Sequence, residues 1–113
     1  MKVLIIGATG MLARPVIDEL DKRGFQLRMF SRSVNQSNFI KDYEIVNGDV
    51  YSQENVENAM SGCDAVHINL SGVDEAKAAE VIVEAARKEG IKLISTISGC
   101  TVSEKKQVVF NDQ

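Results

Sequence analysis

The 113-residue sequence contains no tryptophan, one proline, one histidine and two cysteines. Cys63 and Cys100 lie far apart and form no CxxC pair, so the pattern argues against a disulfide framework or a zinc site. It is typical of free thiols in a reducing compartment. The early apolar run at residues 3–6 is too short for a signal peptide or a membrane span. We therefore expect a soluble, cytoplasmic protein without a metal site.

The charge also lacks a strong bias towards one sign. Thirteen basic and sixteen acidic residues give a net charge of −3, whereas a nucleic-acid-binding surface needs a basic face to replace phosphate counterions. We therefore expect no nucleic-acid partner. Hydrophobic residues make up 44% of the chain, which is enough for the packed core of one domain.

Short apolar stretches alternate with helical patterns along the chain. Strands are predicted at residues 3–6, 26–31, 43–46, 65–70 and 92–97. Helices are predicted after the first strand, from the N-cap Ser52 to Gly62, and from about residue 74 to 88. Parallel strands require such crossovers. The pattern predicts an α/β fold with a parallel sheet covered by helices on both faces.

The turn after the first strand is the first feature that indicates a ligand. Its glycines allow close approach to the backbone, and the helix that follows offers unpaired N–H groups and the positive end of its dipole. Such a corner binds anions, most often nucleotide phosphates. We predict that pyrophosphate binds here, at the contacts Gly7, Thr9, Gly10, Met11 and Leu12. The spacing, G-x-x-G-x-x-A, differs from the usual G-x-G-x-x-G/A, and a purely structural turn is the alternative.

Four segments in order resemble the atypical short-chain dehydrogenase/reductases, the NmrA-like and NAD(P)H-binding epimerase-type group. They are KVLIIGATGMLARPVIDEL, QLRMFSRS, VNGDVYSQENVENAMSGCDAVHINLSG and AAEVIVEAARKEGIKLISTIS, and they cover about residues 2–98. Arg14 matches the basic residue of the family's first motif. The resemblance implies a Rossmann-type doubly wound parallel sheet of about five strands in the order 3-2-1-4-5. It also implies that residues 1–113 form an NAD(P)-binding domain, which we expect to be the N-terminal portion of a longer protein.

The end of the second strand indicates which dinucleotide binds. An acidic residue there accepts hydrogen bonds from the ribose 2′-OH of NAD, whereas a basic residue accommodates the 2′-phosphate of NADP. The chain has Ser31-Arg32-Ser33 at this point and no acid until Asp42. A phosphate opposite Arg32 would gain a charge-assisted contact. The sequence therefore predicts NADP(H), with NAD(H) as the alternative cofactor and a solvated surface cation as the alternative role of Arg32.

Residues after the third and fourth strands complete the predicted site. By resemblance, Asp49 and Val50 border the adenine ring, although Asp49 could equally cap the helix that follows. Asn69, Leu70 and Ser71 close the fourth strand. Because ligands of open α/β sheets lie beyond the carboxyl ends of the strands, we expect these three to face the ribose and nicotinamide side.

The catalytic group is less well defined. The family typically uses a tyrosine with a lysine four residues later, and this chain has no YxxxK. By resemblance Ser98 is a candidate assisting hydroxyl, with an exposed loop serine as the alternative. Cys100 is interpreted as a bystander thiol and His67 as a packed imidazole.

Three functions therefore stay open. They are an NAD(P)-dependent oxidoreductase or epimerase/dehydratase completed beyond residue 113, a non-catalytic dinucleotide sensor or regulatory module, and a fold without a ligand. No substrate is identified. A five-stranded sheet would also expose an apolar edge strand, through which copies of the chain could pair unless it is covered.

Overall fold

The computed structural model describes residues 1–8, 13–32, 42–69, 75–97 and 105–109. The strands are β1 (Lys2–Ile6), β2 (Gln26–Ser31), β3 (Glu44–Asn47), β4 (Ala65–Ile68), β5 (Leu93–Ile97) and β6 (Lys105–Val109). The helices are α1 (Ala13–Lys22), α2 (Gln53–Met60) and α3 (Glu75–Glu89). Strand and helix alternate from β1 to β5 except between β2 and β3, where residues 33–41 lie outside the described part.

The strands form one sheet in the order β3-β2-β1-β4-β5-β6. The first five are parallel, which confirms the predicted order and the Rossmann-type α/β fold. β6 runs antiparallel to β5, with Val109 opposite Leu93. β5 is therefore not an exposed edge, because β6 pairs with it and covers it.

Helices cover both faces of the sheet. Val3 and Ile5 of β1 pack in a core with Ile17 of α1, whereas Leu4 and Ile6 pack on the opposite face. This alternation follows from the two-residue period of a strand. The second core includes Val56 and Met60 of α2 and Ala78, Ile82, Ala85 and Ala86 of α3. The last four are fully buried and form the apolar stripe by which α3 packs on the sheet.

Local signals in the sequence explain where the helices begin and end. Ser52 is the N-cap of α2, and its Oγ accepts a hydrogen bond from the amide of Asn55 at 3.3 Å, as predicted. Arg87 and Lys88 lie in the last turn of α3. Their positive charges lie at the negative end of the helix dipole and stabilise it.

A buried arginine joins two strands to a helix, and no pattern in the sequence pointed to it. Arg28 lies inside β2 with a relative exposure of 9%. Its Nε donates to Glu44 Oε1 at 2.9 Å, and its Nη1 donates to the carbonyl oxygens of Ala59 and Ser61. Those carbonyls lie at the C-terminal end of α2, where the last carbonyl groups of a helix have no N–H partner within the helix. Arg28 therefore fastens α2 to β2 and β3.

Candidate functional site

The predicted site lies where the strand order of the sheet reverses. From β1 the chain proceeds to β2 and β3 on one side and then returns to β4 on the other. In an open α/β sheet, the carboxyl ends of the strands at such a switch point border the ligand crevice. Gly7 follows β1 and Asn69 follows β4. The topology therefore brings these two predicted site residues together.

Gly7 and Asn69 are in direct contact. The Asn69 amide donates to the Ile6 carbonyl at 2.9 Å, and the Asn69 Nδ2 donates to the Gly7 carbonyl at 3.5 Å. Gly7 has a φ of +78°, and a Cβ atom on it would lie 1.8 Å from the Asn69 carbonyl oxygen. The close neighbour that excludes a side chain at Gly7 is thus the end of β4.

The first two amides of the turn have acceptors within the fold. The amides of Gly7 and Ala8 both donate to the Phe30 carbonyl, at 3.0 and 3.4 Å. These bonds tie the turn to the carboxyl end of β2. The predicted contacts Thr9, Gly10, Met11 and Leu12 lie outside the described residues.

Arg32 and Asp49 lie at the ends of neighbouring strands and face each other. Arg32 Nη2 is 3.8 Å from Asp49 Oδ1, and the two side chains are 70% and 50% exposed. Asp49 does not serve as the N-cap of α2, a position that Ser52 occupies. Its Oδ1 instead accepts a hydrogen bond from the Tyr51 amide at 2.9 Å. The Asp49 carboxylate is thereby held in the turn before α2, beside the Arg32 guanidinium.

The residues around Asp49 form the rest of this corner. Val50 is buried, 8% exposed, within the core between the sheet and α2 and α3, so its side chain packs inwards. Lys77 of α3 places its Nζ 5.4 Å from the centre of the Tyr51 ring, a cation–π distance. The start of α3 and the turn after β3 therefore meet next to Asp49.

Two side chains that could in principle take part in chemistry, the His67 imidazole and the Cys63 thiol, are buried in the fold. His67 is 4% exposed, and its Nδ1 is 3.3 Å from Ser95 Oγ on the adjacent strand, which confirms the predicted packed imidazole. Burial raises the pKa of the Cys63 thiol, so this sulfur stays protonated and is a poor nucleophile. Ser98 and Cys100, which follow β5, and Leu70 and Ser71, which follow β4, lie outside the described residues.

Neither a metal centre nor a membrane span is found in the described part of the chain. Nowhere in it do three or more His, Cys, Asp or Glu side chains gather in a way that could hold a metal ion. None of its helices has the length and apolar character needed to cross a bilayer.

Comparison with known proteins identifies relatives by sequence. The sequence model of a family described as NAD(P)H-binding matches residues 7–113. The photosystem II assembly factor Ycf39 of Trieres chinensis is 35% identical over 68 residues, which make up 58% of this chain and 21% of that protein. The match therefore spans about a fifth of the relative's length.

Solved structures share the fold. A Rossmann-fold NAD(P)-binding family protein from Shigella flexneri has a TM-score of 0.70 at 34% identity, over 82% of this chain and 49% of the other. A wide-type short-chain dehydrogenase/reductase from Veillonella parvula, in complex with NADP, has a TM-score of 0.73 at 15% identity, over 88% of this chain and 48% of the other. The second likeness shows the fold alone. The chain spans about half the length of each structure.

Proposed function

The chain belongs to the NAD(P)H-binding family whose model matches residues 7–113, and on that premise we propose that its dinucleotide is NADP(H) rather than NAD(H). One observation carries this choice. Arg32, at the carboxyl end of β2, keeps 70% of its side chain exposed. A guanidinium there can form charge-assisted, bidentate bonds with a 2′-phosphate, which a ribose 2′-OH cannot match.

The proposed binding mode places the rest of the dinucleotide along the carboxyl ends of β1, β3 and β4. The amides of Gly7 and Ala8 already donate to Phe30, so the pyrophosphate would accept hydrogen bonds from the amides of residues 9–12. Asp49 and the turn after β3 would border the adenine. Asn69, with Leu70 and Ser71 after it, would face the ribose and nicotinamide. The conformation of Gly7 supports this mode, because it allows the turn to pass close to the end of β4 at the switch point.

We further propose that this domain is the cofactor-binding part of an oxidoreductase or an epimerase/dehydratase. Ser98 would be the assisting hydroxyl, since it follows β5 at the position of the family's strand-end serine. The tyrosine–lysine pair typical of the family would come from outside the present sequence, which contains no YxxxK. The bound dinucleotide supplies the hydride chemistry, and the role of this chain is to hold and orient it.

A regulatory module is the second candidate function, favoured by a specific similarity. The relative from Trieres chinensis is named as an assembly factor, and a protein that senses a dinucleotide needs the binding site but no catalytic pair. A sensor should distinguish NADPH from NADP+, because the redox state is what it reports. Titration with both forms separates the candidates: a difference of tenfold or more favours the sensor, and similar affinities favour the enzyme.

Calorimetric titration with NADPH and NADH tests the cofactor proposal. The unmodified chain should bind NADPH more tightly. Arg32→Ala should weaken NADPH binding by about tenfold, since a hydrogen bond to a charged group contributes about 1.5 kcal/mol, and should leave NADH binding unchanged. The matched control is Arg87→Ala, which removes an exposed arginine from the far end of α3 and should affect neither titration. Equal affinity of the unmodified chain for both cofactors would contradict the proposal.

A further inference from the structure

We propose that Asp49 is a specificity-determining residue that restrains Arg32 and thereby limits the preference of the domain for NADP(H). The inference rests on the proposed function, in which Arg32 binds the 2′-phosphate. It adds a second residue, Asp49 after β3. This residue determines how strongly the Arg32 guanidinium can bind the cofactor's 2′-phosphate. Asp49 acts here through Arg32, as a positioning residue.

The backbone holds the Asp49 carboxylate in place. Asp49 Oδ1 accepts a hydrogen bond from the Tyr51 amide at 2.9 Å, and the Asp49 amide donates to Asn55 Oδ1 at 3.0 Å. The adjoining residue, Gly48, donates its amide to the Ser31 carbonyl at 3.1 Å. These bonds hold the turn after β3, which carries Asp49, against Ser31, the residue before Arg32. The carboxylate is therefore a preset acceptor, whereas the long, exposed arginine side chain can turn from one acceptor to another.

The consequence for binding follows from competition. With the Arg32 Nη2 3.8 Å from Asp49 Oδ1, a 2′-phosphate must either replace the carboxylate as the partner of the guanidinium or share it. The 2′-OH of NAD carries no charge and gains little from the guanidinium, so its binding is almost indifferent to this competition. Exposed ion pairs contribute at most about 1 kcal/mol. Release of Arg32 should therefore raise the NADPH preference by about three- to fivefold.

The test is calorimetric titration of NADPH and NADH into four proteins: the unmodified chain, Asp49→Asn, Arg32→Ala and the double variant. Asparagine keeps an Oδ1 acceptor for the Tyr51 amide and removes only the charge. The ratio of NADPH to NADH affinity should rise about three- to fivefold in Asp49→Asn, and the substitution should have no effect on the ratio in the Arg32→Ala background. Glu84→Gln removes the same charge from the exposed side of α3, nine residues after its start, and should leave the ratio unchanged.

Three results would overturn the proposal. An unchanged ratio, with both affinities lowered alike, would make Asp49 an adenine contact or a structural residue. A rise in the ratio that persists without Arg32 would mean that the carboxylate repels the phosphate directly. If the unmodified chain binds neither cofactor, the proposed function fails and this inference with it. In the first two cases the unmodified chain still prefers NADPH, so a failure confined to Asp49 is distinguishable from failure of the proposed function.

Discussion

At the scale of single residues, Gly7 shows that a glycine predicted for one reason can be required for another. From the sequence, the glycine was expected to allow close approach by a ligand. In the structure, the atom nearest to its absent Cβ is the Asn69 carbonyl oxygen. That contact joins two strand ends that are far apart in the chain, and no local pattern around residue 7 encodes it. The role of the turn in binding pyrophosphate remains a prediction.

Substitution of Gly7 separates the effect of backbone conformation from that of crowding. Gly7→Ala must place a Cβ 1.8 Å from a backbone oxygen at a φ of +78°, so we expect the free energy of unfolding to fall by about 3 kcal/mol or more. Gly24 has a similar φ of +87°, and no atom lies within 4 Å of the point where a Cβ would stand, so Gly24→Ala should cost only about 1 kcal/mol. Urea unfolding of both variants measures the difference. Equal losses would show that the contact with Asn69 does not constrain the turn.

Other site residues differ in how far the sequence could place them. Arg32 and Asp49 were each predicted from strand ends, but their ion pair depends on the register of β2 and β3. Val50 was expected to border the adenine, and its side chain packs in the core. The direction of a single side chain depends on how the turn after β3 is hydrogen-bonded, which the sequence does not show.

At the scale of elements, periodicity predicted the helices and the five parallel strands to within a few residues. β3 begins at Glu44 rather than at residue 43, and β4 ends at Ile68 rather than at residue 70. The direction of β6 was not predictable. The sequence analysis predicted five strands and did not include this one. The run QVVF at residues 107–110 is apolar, as in a strand, but whether such a strand pairs in parallel or antiparallel depends on the connection before it.

The edge strand β3 is held to the sheet partly by the ion pairs of its first residue, Glu44. The Glu44 carboxylate contacts the Arg28 side chain of β2 and the Lys2 Nζ of β1, both at 2.9 Å. The hydrogen bond from Arg28, and then that from Lys2, lowers the pKa of Glu44 below its ordinary value of 4.5. The ionised carboxylate therefore ties the edge strand β3 to its neighbour β2 and to β1 beyond it.

This lowered pKa predicts how stability depends on pH. Because Glu44 has a lower pKa in the folded protein than in the unfolded chain, its contribution is present above pH 4.5 and is lost as the pH falls through the folded value. The side chain is 48% exposed, so we expect Glu44→Gln to cost no more than about 1 kcal/mol at pH 7. The cost should vanish as the pH falls below the folded value. Chemical unfolding across this acidic range measures it.

The matched control is Glu84→Gln, which removes an exposed carboxylate from α3 and should show little difference from the unmodified protein at any pH. A cost for Glu44→Gln that is the same in acid as at neutral pH would contradict the electrostatic explanation. It would point to packing of the side chain instead.

At the scale of the whole molecule, topology brings the candidate site together, and in the proposed function charge determines which dinucleotide the site prefers. The order β3-β2-β1-β4-β5 puts the ends of β1 and β4 at the switch point. Alternation of strands and helices predicted the parallel sheet, and the resemblance to the NmrA-like group supplied the strand order. The net charge of −3 opposes any anionic cofactor. In the proposed binding mode, a dinucleotide therefore depends on local donors and on Arg32, against an overall field that is weakly repulsive.

The competition between the repulsive net charge and the attraction of Arg32 predicts that salt changes the affinities for NADPH and NADH differently. The Debye length falls from about 10 Å at 0.1 M salt to about 3 Å at 1 M, so salt weakens both the overall repulsion and the exposed contact between Arg32 and a 2′-phosphate. NADH affinity should hold or rise slightly. NADPH affinity should fall, and the ratio between them should decrease several-fold when calorimetry is repeated at about 0.05 M and about 0.5 M NaCl. In Arg32→Ala the ratio should be low at both concentrations. A preference for NADPH that does not change with salt would mean that shape and buried hydrogen bonds, rather than the exposed charge of Arg32, select the cofactor.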